Sequence, residues 1–173
     1  MPFHRRVARL NSENYLGCQP YFITICCDHR KPYLSNAETA RGVLNVLFDC
    51  ASNSSFALHA YCLMPDHLHL LVQGSSDRAN LLEFIRVFKS RTAFEFRRQS
   101  RVRLWEKSFH DHILRSGDPL EDIAIYIWSN PVRKRLCVHP EEFPFSGSQT
   151  IDWIRRAKQK SVSRLPWDSK LPV

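Results

Sequence analysis

Apolar and polar positions along the chain fall into blocks that switch between the strand period and the helix period. Tyr21-Phe22-Ile23-Thr24-Ile25-Cys26-Cys27 is a short run of aromatic and β-branched residues and predicts a strand, ending near Asp28-His29-Arg30-Lys31-Pro32. Residues 36–52 carry Ala40, Val43, Leu44, Val46, Leu47 and Phe48 at helical spacing, with Ser35 or Asn36 placed to cap the first turn. Phe56 to Met64 and His67 to Val72 predict two strands or one bent pair, broken at Pro65-Asp66 because proline cannot donate to a central ladder. Gly74-Ser75-Ser76-Asp77 reads as a loop, and Ala79 to about Arg98 as a basic helix with Leu81, Leu82, Ile85, Phe88 and Phe96 facing inward. Trp105 to Arg115 predicts a fourth strand. Asp118 and Pro119 then predict a helix start, an N-cap followed by proline at the first helical position. That helix runs through Leu120, Ile123, Ala124, Tyr126 and Ile127 to near Asn130-Pro131, or restarts beyond the proline.

Strand, helix, strand, strand, helix, strand, helix is the order of an α+β protein. It predicts one antiparallel sheet with helices packed on one face, of the ferredoxin-like (RRM-like) kind. At 173 residues the chain is expected to form a single domain with a sizeable core. The composition turns polar after Phe145, so the domain is expected over 1–150, with a basic tail, amphipathic or extended, over 151–173. No segment approaches the roughly 18 uninterrupted apolar residues of a membrane span. The N-terminal Met1-Pro2-Phe3-His4-Arg5-Arg6 lacks the apolar core of a secretion signal, and a cytoplasmic location is expected.

Composition changes this picture in two places. The net charge is +8, and it is clustered: between Arg78 and Arg103 eight basic residues face only Glu83 and Glu95. Arg155, Arg156, Lys158, Lys160, Arg164 and Lys170 add to it near the C-terminus. Clustered positive charge is the footprint of a phosphate-backbone partner, although a merely solvated basic face has the same composition. Six cysteines contain no C-x-x-C pair, and Cys26 and Cys27 are adjacent inside an apolar run. Neighbours on a strand point to opposite faces and cannot share a tetrahedral site, so reduced, mostly buried thiols are expected.

Candidate chemistry centres on Met64-Pro65-Asp66-His67-Leu68-His69-Leu70-Leu71-Val72. Alternation along a strand puts His67 and His69 on one face, roughly 6–7 Å apart along the chain, and Leu68 and Leu70 on the other. Two imidazoles form half of a site for a divalent cation; a pair of satisfied sheet histidines is the bland alternative. Tyr126 and Asn130 lie four residues apart on the predicted helix and therefore share a face. Over the histidine strand, that face completes a pocket of two imidazoles, an amide oxygen and a phenol. A cation held by His67, His69 and Asn130 keeps open positions for phosphate oxygens, and neighbouring positive charge favours the phenolate as nucleophile. His110 and His112 form a second pair at the same spacing, and His112 is a candidate neighbour of the site.

Four ordered blocks carry a family likeness: Tyr21-Phe22-Ile23-Thr24-Ile25; Ala60-Tyr61-Cys62-Leu63-Met64-Pro65-Asp66-His67-Leu68-His69-Leu70-Leu71; Leu104-Trp105-Glu106-Lys107-Ser108-Phe109-His110-Asp111-His112-Ile113-Leu114-Arg115; and Tyr126-Ile127-Trp128-Ser129-Asn130-Pro131-Val132-Arg133, trailing into Phe143-Pro144-Phe145-Ser146-Gly147-Ser148. The chain resembles the REP-associated tyrosine transposases, single-tyrosine members of the HUH endonuclease superfamily, over roughly residues 15–150. The resemblance implies His67 and His69 as the metal-binding pair, Asn130 as the helix-borne third ligand and Tyr126 as the nucleophile. It also implies Mg²⁺ or Mn²⁺ as cofactor, and single-stranded DNA beside short hairpins as substrate. The implied reaction is cleavage to a 5′-phosphotyrosine and a 3′-OH, reversible without ATP. Two positions depart from the family pattern: Asp66 stands where asparagine is common, and Arg135 where glycine often follows the catalytic helix.

On this reading Lys89, Arg91, Arg97, Arg98, Arg101 and Arg133 are the expected DNA-phosphate contacts. Trp105, Trp128 and Trp153 are candidates for base stacking, against core packing. A non-catalytic ferredoxin-like nucleic-acid-binding protein is the alternative, and a zinc-dependent hydrolase on either histidine pair ranks behind both. The DNA target and the choice between mobile element and domesticated protein stay open. A homodimer, with Tyr126 acting in its own or its partner's site, stays open too.

Overall fold

A computed structural model describes residues 12–159; the N-terminal segment read for a secretion signal and the basic positions Lys160, Arg164 and Lys170 lie outside them. Strand β1 is Pro20–Cys26, helix α1 Ala37–Asn53, strand β2 Phe56–Met64 and strand β3 His67–Gly74. Helix α2 is Leu81–Ser100, strand β4 His110–Ile113, helix α3 Leu120–Trp128 and helix α4 Asn130–Arg133. Strand β5, Ser146–Gly147, and helix α5, Trp153–Gln159, complete the described chain. The sheet runs β4-β1-β3-β2-β5 with each neighbouring pair antiparallel. The result is a single α+β domain.

Local chemistry sets the helix starts. Asn36 and Asn80 each accept from the backbone N–H three residues on, Thr39 at 2.9 Å and Glu83 at 3.1 Å, so α2 begins at Leu81 rather than at Ala79. Asp118, expected to cap α3, instead accepts from Arg115 N at 2.7 Å and closes the preceding turn; the helix starts at Leu120. It ends at Trp128, and the chain restarts as α4 at Asn130, one residue ahead of the proline.

The expected strand from Trp105 to Arg115 is confined to β4, with Trp105 making an isolated bridge to Cys27. Lys89 accounts for the gap: its ammonium donates to the carbonyls of Glu106, Lys107 and Ser108 at 2.7, 3.0 and 3.3 Å, drawing that stretch off the sheet.

Helices cover both faces, which corrects the expected single layer. Val43, Leu44 and Leu47 of α1 and Phe84, Ile85 and Phe88 of α2 pack on Ile23, Ile25, Leu68, Leu70 and Val72. Ile123, Ala124, Ile127 and Trp128 of α3 pack on the other face, against Phe22, Ala60, Cys62 and Leu71, with Trp153 and Ala157 of α5 outside them. The reason is visible in the strands. β1 and β3 are buried along both faces, and a sheet apolar on both sides needs two covers. In β2 a bulge between Leu58 and Ala60 resets the alternation, so that Leu58 and Leu63 share a face while Ala60, Cys62 and Met64 join the α3 side. Among the described residues no helix is long and apolar enough to cross a membrane.

Candidate metal and tyrosine site

The tight connection Pro65-Asp66 delivers β3 with His67 and His69 on the face covered by α3, and with Leu68 and Leu70 in the α1/α2 core. Both imidazoles are buried, at 7% exposure each. Their rings meet edge to face, centroids 4.5 Å apart, and the two Nε2 atoms stand 3.0 Å from each other. Each Nδ1 is occupied. That of His67 lies 2.6 Å from Asp66 Oδ1, and an ionised carboxylate only accepts, so His67 is the donor. That of His69 lies 2.9 Å from Thr24 Oγ1. Asp66 Oδ2 accepts in turn from the Arg30 guanidinium at 3.3 Å.

Electrostatics follow this packing. Burial above all, with positive charge from Arg133 and Arg30 adding to it, holds the His69 imidazole well below the ordinary histidine range, so it is neutral at physiological pH. Burial pushes the Asp66 carboxyl up, but the hydrogen bond from His67 and the Arg30 charge outweigh it and leave it below the usual range.

Phe22 links this pair to the helix. His69 stacks on it at 5.5 Å, and the Tyr126 ring meets it edge-on at 6.4 Å. Tyr126 is half-buried on α3. Arg133 lies over it, guanidinium carbon 4.0 Å from the ring centroid, and donates to the Tyr126 carbonyl at 3.2 Å. Asn130, buried at 6% exposure, opens α4, and its Nδ2 donates to the same carbonyl at 3.4 Å. The amide nitrogen is spent on backbone; Oδ1 is the atom that can ligate.

The donor set suits a hard or borderline divalent cation. Two neighbouring ligands on an octahedral ion with bonds of about 2.1 Å are separated by about 3.0 Å, the spacing of the two Nε2 atoms. Among the described residues no cluster of three His, Cys, Asp or Glu side chains could hold a metal, which leaves an amide oxygen or substrate oxygens to complete the coordination. Thiols take no part. Cys62, in register with His69, is pushed up to about 12 by burial, as is Cys27.

His110 and His112 lie on the edge strand opposite Thr24 and Phe22, hence on the same face as His67 and His69. His112 thus flanks the ring on which His69 and Tyr126 both pack. Sequence reasoning missed Phe22, Thr24 and Arg30. Thr24 carried a faint signal, a polar residue inside an apolar run; Phe22 and Arg30 carried none.

The expected phosphate contacts divide. Arg133 is at the site. Lys89, Arg91, Arg97 and Arg98 belong to α2, behind the opposite face of the sheet. There Lys89 clasps the 106–108 carbonyls, Arg91 pairs with Asp49, and Arg98 pairs with Glu95 at 3.4 Å. Arg101 ends α2 in the left-handed region, φ 57°, and leads toward Trp105 at the sheet end that carries the Asp66 turn. Trp105 donates to Thr92 Oγ1 at 2.8 Å inside the core, Trp128 donates to the Gly147 carbonyl at 2.9 Å, and Trp153 packs on Trp128.

The family model described as transposase, IS200 like, matches residues 18–130. A protein of Haemophilus influenzae named as a candidate REP-associated tyrosine transposase is 27% identical over 140 residues, spanning 73% of this chain and 77% of that protein. An uncharacterized protein of the same organism is 26% identical over 160 residues, spanning 75% of this chain and 89% of its own length. Among solved structures, a REP-associated tyrosine transposase bound to a REP hairpin superposes with a TM-score of 0.65 at 18% identity, covering 84% of this chain and 82% of that one, a likeness of fold.

Proposed function

The chain belongs to the IS200-like transposase family, and on that premise we propose that it is a metal-dependent single-strand DNA endonuclease and strand transferase acting beside DNA hairpins, with Tyr126 as nucleophile. The observation that carries the reading is the convergence of the His67 and His69 Nε2 atoms, 3.0 Å apart, on the sheet face where Phe22 seats both His69 and Tyr126.

His67, His69 and Asn130 Oδ1 would hold Mg²⁺ or Mn²⁺. When bound there, such an ion would supply polarisation of the scissile phosphate and offset its developing charge. Tyr126 Oη attacks phosphorus as its proton leaves to solvent, the bond from phosphorus to the 3′ oxygen breaks, and that oxygen departs as a 3′-OH. The 5′ phosphate remains esterified to Tyr126. A 3′-OH from another strand reverses the exchange, with no bond energy lost to water. Arg133, against the ring and backbone of Tyr126, orients the phenol and adds positive charge beside the reacting phosphate. Hairpin DNA as the partner is supported by the solved relative, which binds one. The α2 cations, remote from Tyr126, supply long-range attraction to phosphates rather than contacts at the cut.

The test is covalent trapping. Incubated with a labelled single-stranded hairpin substrate and Mn²⁺, the wild type forms an adduct that survives denaturation. Tyr126→Phe forms none yet still binds the DNA. Adduct formation by Tyr126→Phe would remove Tyr126 from the role.

A further inference from the structure

The two histidines are backed differently. His67 rests on a carboxylate, His69 on a neutral hydroxyl. Asp66 is itself over-determined: Arg30 holds Oδ2, Cys27 N–H donates to its carbonyl at 2.8 Å, and Leu34 N–H donates to the neighbouring Pro65 carbonyl at 2.9 Å. The segment that presents Arg30 has two successive non-glycine residues in the left-handed region, His29 at φ 53° and Arg30 at φ 54°. Such a conformation persists only where surrounding bonds enforce it. Here the Arg30 and Lys31 amides return to the Cys27 and Asp28 carbonyls at 2.9 and 3.2 Å.

We propose that Asp66, held by Arg30, and Thr24 are positioning residues that fix both imidazoles with the proton on Nδ1 and the lone pair on Nε2. This inference rests on the metal reading above. An imidazole with its Nδ1–H on a partner presents Nε2 as a ligand in a set direction, and a carboxylate partner also makes that nitrogen the better donor. His67 is therefore the principal anchor of the cation and His69 the weaker second ligand. Aspartate adds its charge at this place, where asparagine would supply only an acceptor. Arg30 keeps Asp66 turned toward His67 Nδ1.

The experiment measures Mn²⁺ binding to the full chain without DNA, by electron paramagnetic resonance titration, together with the melting temperature of the metal-free protein. Asp66→Ala weakens binding 10–100-fold. Asp66→Asn, which keeps the acceptor and loses the charge, falls between it and wild type. Thr24→Val weakens binding less than Asp66→Ala, and Thr24→Ser restores it. Metal-free melting stays near wild type throughout, and the ¹⁵N signal of His67 reports loss of the Nδ1-protonated form in Asp66→Ala.

If Asp66→Ala and Thr24→Val bind Mn²⁺ within twofold of wild type while His67→Ala loses it, the positioning inference falls and the metal reading stands. If wild type binds no Mn²⁺, or His67→Ala binds it as wild type does, the metal reading fails and takes the inference with it.

Discussion

The two faces of one sheet are built from alternate residues of the same strands, yet they do different work. On the α1/α2 side, Ile23, Ile25, Leu68, Leu70 and Val72 meet an apolar helix layer. On the α3 side, Phe22, Ala60 and Leu71 surround a polar island. Among the described residues the buried polar side chains are Thr24, His67, His69, Thr92, Asn130 and Ser146, and all but Thr92 lie on the α3 side. Burying polar groups costs free energy unless each is bonded, so a protein selected for stability alone has no reason to gather them. Strand parity separates the two tasks. Moving one residue along β3 passes from a position in the apolar core to a position in the polar island of the proposed site.

The sharpest break of this comparison is within β3. His67→Ala is expected to lower strand cleavage by about a thousandfold or more while urea unfolding of the metal-free protein changes little. A large stability loss at His67 would mean that the α3 face is structural after all. Next come the thiols. With burial holding Cys27 and Cys62 near 12, one on each face, almost no thiolate exists at pH 8, and the fraction rises only as pH climbs toward that value. Cys18, which is exposed, should react with a thiol reagent at pH 8 at least about a thousandfold faster than either, followed by mass spectrometry of labelled peptides. Rapid labelling of Cys62 but not Cys27 would show that the site face opens to solvent and the other does not. Leu70→Ala, next to His69 but on the other face, should cost about 2–5 kcal/mol in urea unfolding, with turnover per folded molecule unchanged.

How much of this was readable from the chain follows the range of the interactions. The parity of His67 and His69 and the N-cap at Asn36 are local, and spacing predicts them; the cap at Asn80 is equally local, but the apolar pattern starts that helix at Ala79. The face that α3 takes is not local. It depends on β1 and β3 being apolar on both sides, a pattern present in Tyr21–Cys27 and His67–Val72 but compatible with several layer arrangements. The partners of the imidazoles are less legible still: Thr24 reaches His69 across 45 positions, and Arg30 reaches Asp66 across 36. Clustered charge does not say where the fold puts it, for the same reason. The basic run on α2 is continuous in sequence, but α2 lies behind the sheet, and Lys89 holds backbone carbonyls. Asp66 announced itself as a departure from the family pattern; its bond to His67 needed coordinates.

The smallest effect compares the ends of a helix on each side. Arg101 ends α2 at φ 57°, and Arg135 follows α4 at φ 58°. Around Arg135 the amides of Arg135 and Leu136 return to the carbonyls of Val132 and Pro131 at 2.9 and 2.8 Å, the paired bonds of a Schellman turn, whose left-handed position favours glycine. Arginine at that position therefore adopts a backbone form that favours glycine, at a steric cost of roughly 1–2 kcal/mol partly offset by its smaller loss of chain entropy. Arg101→Gly and Arg135→Gly should each raise unfolding free energy by about 0.5–1 kcal/mol in urea titrations. A gain at Arg101 with none at Arg135 would mean that the Arg135 side chain makes a stabilising contact equal to the strain it imposes. That result would assign the arginine on the site side of the sheet a role that its counterpart behind the sheet lacks.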